Sequence, residues 1–191
     1  MAETLRLFVS ATRDLEDERA IIGRAIARLP VQIGVEIRRT PLLGAPYEDV
    51  YELIGNVDRV YFLMGEDITA PAGMEWFIAW KLERSVLPLR QGNRRTPAAQ
   101  EFMRGIPVQW FTFNTPADLA RLITLDLTRI LNHPKNRYGL TLTELEQLNL
   151  YAKSVEQHGL QVTGEAGGAQ GGGVLLDIGH REPLDGQLIL E

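Results

Sequence analysis

Five short apolar runs recur along the first two-thirds of the chain, and a helix-like segment separates each from the next. The runs are "LRLFVS" (5–10), "VQIGVEIRRT" (31–40), "VDRVYFLMG" (57–65), "SVLPLR" (85–90) and "PVQWFTFN" (107–114). Regular alternation of this kind predicts βαβ units and a parallel sheet, because a parallel neighbour is reached through a crossover, usually a helix. The run 57–65 is the most continuously apolar, as a strand buried on both faces should be. Right-handed crossovers leave few topologies. The reading adopted is an α/β, flavodoxin-like three-layer fold with a five-stranded parallel sheet in the order 2-1-3-4-5.

The intervening segments carry helix punctuation. "ATRDLEDERAIIGRAIARLP" (11–30) has Thr12 or Asp14 as cap and an apolar stripe of Leu15, Ile22, Ile26 and Leu29. "YEDVYELIGN" (47–56) reads as a short helix, and another is expected from about Met74 to Glu83. Pro97 suits the first turn of the next helix. In "TPADLARLITLDLTRILNHP" (115–134), Thr115 can cap, Pro116 begins, and Leu119, Leu122, Ile123, Ile130 and Leu131 share a face.

After residue 134 the pattern changes. The chain divides into an α/β domain at 1–134 and an extension at 135–191. The extension opens with a helix whose capping box is read at Thr143 and Glu146. A glycine-rich block follows, and then "GVLLDIGH" and "DGQLILE", which read as a small β appendage. An exposed edge strand there would be a pairing surface.

Composition narrows the function classes. The net charge of −5 argues against an electrostatically driven nucleic-acid binder. The basic run "RQGNRR" (90–95) reads as a solvated loop, with a phosphate contact as the alternative. There is no cysteine, so disulfides, thiolate metal sites and cysteine nucleophiles are excluded. His133, His158 and His180 are scattered, so no metal centre is expected. No apolar run approaches the roughly 20 residues of a membrane helix, and the opening residues do not read as a signal peptide. A cytoplasmic setting, with no membrane partner, is expected.

In an open parallel sheet, ligands bind beyond the carboxyl ends of the strands, where strand order reverses. For 2-1-3-4-5 that point lies between strands 1 and 3. Two loops flank it. "SATRD" (10–14) offers Ser10, Thr12, Arg13 and Asp14, suited to a ribose or an anion. "GEDITAPAGME" (65–75) offers Gly65, where backbone can approach a ligand, then Glu66, Asp67 and Glu75. Glu75 and Ala79 share a helix face, and the small residue leaves room below the carboxylate. Glu75 reads either as a catalytic acid or as a helix-start glutamate favoured by the helix dipole. Trp76 and Trp80 read as packing residues or as stacking platforms. Glu18 and Arg19 read as a structural ion pair.

The segment "LRLFVSATRDLEDER" resembles the opening of a TIR-like domain family of unknown function, often fused to NACHT or other STAND-type signalling ATPases. The resemblance rests on Ser10, Thr12, Asp14-Leu15 and Glu18-Arg19, and continues through "VDRVYFLMG" and "SVLPL" to about Asn114. Two wider relatives, TIR domains and nucleoside 2-deoxyribosyltransferases, place a glutamate on the helix after strand 3. There it acts on a C–N bond to ribose or deoxyribose, and Glu75 matches that position. The resemblance implies a signalling or defence module that binds an NAD-like or nucleoside ligand, with N-glycosidic cleavage by Glu75 open. Ser10, Thr12, Arg13, Asp14, Gly65, Glu66 and Trp76 are the implied ligand-binding set, with no bound cofactor. It also implies a homo-oligomer and a STAND-type ATPase partner. The alternative is a non-catalytic interaction module. Phe77 stands where the deoxyribosyltransferase pattern has glycine, which would narrow a nucleoside pocket.

Overall fold

The structure is a computed structural model that describes residues 2–41 and 44–158. Five strands form one sheet: β1 (Leu5–Ala11), β2 (Val35–Arg38), β3 (Arg59–Met64), β4 (Val86–Gln91) and β5 (Phe111–Phe113). The order is β2-β1-β3-β4-β5 and every pair is parallel. The helices are α1 (Arg19–Ala27), α2 (Tyr47–Gly55), α3 (Ala70–Lys81), α4 (Pro97–Gly105), α5 (Pro116–Leu131) and α6 (142–158).

Alternation along the central strands sorts side chains into two layers. Leu5, Leu7, Val9 and Ala11 of β1, with Tyr61 and Leu63 of β3, pack with α1 and α5. Phe8 and Val60 face the opposite way, onto α2 and α3. Phe62 and Met64 meet α3 and α4. This period of two is the pleat of a strand covered on both faces. Each fully buried Leu or Phe of this kind stabilises the fold by about 1.5–3 kcal/mol.

Several local expectations are corrected. The helix expected over 11–30 is split: a single 3-10 turn at Arg13–Leu15 precedes α1, which begins only at Arg19. Neither Thr12 nor Asp14 caps it, because both side chains accept hydrogen bonds from the loop after β3. The third helix starts at Ala70, four residues earlier than expected, with Pro71 in its first turn. The capping box of α6 is Thr141 with Glu144: the Thr141 hydroxyl accepts from Glu144 N–H at 3.3 Å, and Glu144 Oε2 accepts from Thr141 N–H at 2.8 Å. The same spacing two residues on, Thr143 and Glu146, is not used. The capping box on α5 forms as read, between Thr115 and Asp118.

Over residues 135–158 the chain stays on the α/β core. Tyr138, Leu140 and Leu148 are buried in the same cluster as β1 and α5. The expected β appendage lies outside the described residues.

Candidate functional site

Three elements converge on Glu75. β1 carries Ser10 close to its carboxyl end, Thr40 follows two residues after β2, and α3 carries Glu75 in its second turn. Because α3 begins at Ala70, no acidic residue lies in its first turn. The helix-start reading of Glu75 is therefore set aside, since the dipole effect is confined to the terminal turn.

The carboxylate is 1% exposed. Ser10, fully buried, donates its hydroxyl to Glu75 Oε2, and Thr40 donates to Oε1. Arg19 lies close enough to add a favourable charge. Its guanidinium is engaged elsewhere, donating from Nη1 to Val9 O at 2.5 Å and from Nη2 to Ala11 O at 3.3 Å. Arg19 Nε sits 2.9 Å from Glu16 Oε2 without hydrogen-bond alignment, and Glu16 also pairs with Arg39 at 2.8 Å. The ion pair of Arg19 is thus with Glu16 and not with Glu18.

Burial pushes the Glu75 carboxyl above its ordinary value, and the Ser10 and Thr40 hydroxyls and the Arg19 charge only partly offset this. A buried carboxylate with two neutral donors and no direct ion pair is costly to the fold. Such groups concentrate at functional sites.

Glu75 lies against a cleft of about 580 Å³, which Arg13, Arg19, Thr40, Asp67 and Ile68 also line. Arg13 is exposed on its rim and makes no ion pair among the described residues. Asp67 is held by Ile68 N–H at 2.9 Å and by the Thr96 hydroxyl. The cleft therefore offers acceptors deep inside and a guanidinium at the edge. That arrangement suits a ligand with hydroxyls at one end and an anion at the other.

The expected site residues separate into three groups. Arg13 and Glu75 line the cleft, and Ser10, buried behind it, reaches it only through its bond to Glu75. Thr12, Asp14, Gly65 and Glu66 form a clasp between the β1 and β3 loops. Thr12 Oγ1 accepts from Gly65 N–H at 2.9 Å, and Asp14 Oδ2 accepts from Glu66 N–H at 2.7 Å. Gly65 is needed here because a Cβ would lie 2.0 Å from Asp14 Oδ2. The clasp shapes one wall of the site without lining the cleft. Trp76 is elsewhere: it points to the α4 side, where it stacks on Trp110 at 5.7 Å between ring centroids and meets Phe62 edge-on at 4.8 Å. Its expected ligand role is corrected to packing. Phe77 is 58% exposed and does not line the cleft, so it narrows nothing there.

Thr40, Arg19 and Glu16 were missed as site residues. The signal was available for Thr40. In the order 2-1-3, the end of β2 is next to the end of β1, so the residue just after strand 2 belongs near the switch point. Arg19 and Glu16 were hidden by the assumption of one continuous helix from residue 11.

Among the described residues, no group of three or more metal-ligating side chains comes together, and no helix is long and apolar enough to cross a membrane. No family model and no curated protein matches the chain. One solved structure, the flavodiiron protein from Giardia intestinalis, is similar at 10% identity and a TM-score of 0.37. The match covers 81% of this chain and 38% of that one. A likeness this slight bears on neither ligand nor chemistry.

Proposed function

We propose that this chain is a TIR-like signalling or defence module that binds a nucleotide-derived ligand, NAD-like or nucleoside, in the Glu75 cleft. The observation that carries the reading is the buried Glu75 carboxylate, held by two hydroxyls at the strand 1 and strand 3 switch point and opening into a cleft. Ribose hydroxyls are donors of the same kind as Ser10 and Thr40, so a ribose can replace one of them on Glu75. A phosphate would then lie toward Arg13. The cysteine-free composition fits a cytoplasmic protein, and a STAND-type ATPase is the partner class proposed.

The same contact supports cleavage. The C1′–N bond would break with its electron pair leaving on the base. Ionised Glu75 would stabilise the positive charge developing on the ribose ring. Water would add to C1′ and lose its proton to solvent.

A second reading, a self-associating module without turnover, is favoured by one observation. Phe77 and Trp80, both on α3, are 58% and 52% exposed. Light scattering of the native chain and of Phe77→Ser/Trp80→Ser tests it. A concentration-dependent mass abolished by the double substitution supports self-association, and a constant monomer mass refutes it.

Thermal melts in NAD and in a panel of nucleosides test the ligand reading. At a hundred times Kd a ligand adds about 2.7 kcal/mol, which for a chain of this size is a rise in Tm of about 5–10 °C. The rise should appear in the native protein and shrink in Arg13→Ala for the phosphorylated ligand alone. No rise with any member of the panel would overturn the reading.

A further inference from the structure

The basic run 90–95 meets a second set of cations in the folded chain. Arg90 is the last residue but one of β4, Arg94 and Arg95 follow in the loop, and Arg104 stands on the last turn of α4. Together with Trp110 they line a groove of about 510 Å³ to which no described carboxylate contributes. In a chain with a net charge of −5, four guanidinium groups around one groove are a marked local reversal of charge.

The groove is built and held. Arg95 fastens the loop by donating to Asn93 O at 3.3 Å and to Gln91 O. A Cβ on Gly92 would lie 1.9 Å from Asn114 Oδ1, so the loop is seated closely on the chain after β5. Thr96 N–H donates to Glu66 O at 3.0 Å. Arg90 donates from Nε to Thr112 Oγ1 at 2.8 Å. Two donors are nevertheless left without partners: Arg95 Nε and Trp110 Nε1 are both buried and unpaired. Both belong to residues that line the groove. Both atoms are covered, as are three further unpaired polar atoms elsewhere among the described residues, so contact with a ligand falls to the exposed guanidinium groups of Arg94 and Arg104.

We propose that this groove is a second ligand site, separate from the Glu75 cleft, that takes the di- or triphosphate group of a small phosphorylated molecule. Guanidinium forks match phosphate oxygens in pairs. Several forks around one groove need more negative charge than a single phosphate carries. Arg94 makes no hydrogen bond or ion pair among the described residues and is free to engage. Among the described residues Arg104 is held only by Glu101, with both side chains about 70% exposed, a contact that water loosens readily. The volume is that of a small-molecule site. On α4 the carboxylate of Glu101 pairs with Arg104 at the groove's edge.

The test is isothermal titration of inorganic pyrophosphate and tripolyphosphate into the native chain, Arg94→Ala/Arg104→Ala and Arg13→Ala. Arg94 and Arg104 are surface residues, so the double variant keeps the fold, which its melting curve verifies. The site predicts saturable binding at one stoichiometric site, tighter for tripolyphosphate, weakened at least tenfold in Arg94→Ala/Arg104→Ala and unchanged in Arg13→Ala. Absence of saturable binding, or binding that the double variant leaves intact, overturns the proposal. So does a single-stranded oligonucleotide that binds more tightly than tripolyphosphate and loses affinity in the same variant, because that would make the groove part of a nucleic-acid surface.

Discussion

Replacing Gly65 by alanine tests the clasp that shapes the site. Gly65 is not among the residues with positive φ, so its backbone accepts a Cβ without strain. Space is the obstacle. The new Cβ would lie 2.0 Å from Asp14 Oδ2 and 2.5 Å from Asp14 Cγ. Asp14 must withdraw by an ångström or more, which breaks its 2.7 Å bond from Glu66 N–H. A hydrogen bond to a charged group contributes about 1.5–3 kcal/mol. Here the bond is at the surface and water can replace the carboxylate, so the expected loss is about 1.5 kcal/mol at the low end of that range. For a chain of this length the fall in Tm is about 3–6 °C. The mechanism is exposed by a double-mutant cycle in urea. In an Asp14→Ala background the clash is gone, and Gly65→Ala should cost nothing or stabilise by about 0.4–1 kcal/mol through the unfolded chain. The coupling between the two substitutions is then about 1.5 kcal/mol or more. Additive losses would refute the reasoning, because they would mean that the alanine harms something other than the Asp14 contact.

Glu75 titrates with a sign opposite to that of a salt-bridged acid. Its folded pKa is raised by burial, so the native state holds the proton more firmly than the unfolded chain and stability falls as pH rises through the interval above the ordinary glutamate value. Glu75→Gln should remove that slope and leave the protein at least as stable as native at neutral pH, read from urea midpoints between pH 4 and 8; a large loss at neutral pH would contradict the account. Asp126→Ala strands Arg59, 14% exposed, whose partner Asp126 is 4% exposed, and should cost about 3–5 kcal/mol; Arg59→Met/Asp126→Leu should recover most of that in the same unfolding assay. Leu148→Ala should cost about 2–5 kcal/mol, because α6 is part of the main core; a loss well below 1 kcal/mol in chemical denaturation would show the helix to be only loosely attached.

The sheet was legible because strand periodicity and strand order rest on patterns that extend over many residues. A run such as 57–65 has no comfortable place other than a central parallel strand. Order 2-1-3-4-5 then put the switch point beside Ser10 and the loop after β3, and Ser10 and Glu75 do meet there. What was not legible were the local decisions set by tertiary contacts. Asp14 looks like a cap in the sequence, but the amide of Glu66 competes for it and wins. Trp76 adjoins Glu75 in sequence, yet neighbouring helical positions point about 100° apart, so the indole joins Trp110 on another face. Thr141 and Thr143 both have a glutamate three residues on, and the choice falls to the one where Leu145 and Leu148 reach the core. The arginine groove joins residues of β4, the following loop and α4, and the approach to β5, a juxtaposition that no short motif encodes.

The most direct test of the Glu75 site is turnover at high protein concentration, with native protein and Glu75→Gln incubated side by side in NAD and in nucleosides, and the products separated by chromatography. The account predicts release of nicotinamide or a free base by the native protein, none by Glu75→Gln, and a Glu75→Gln melting temperature no lower than native at neutral pH. Equal release by both proteins would contradict the central role given to Glu75.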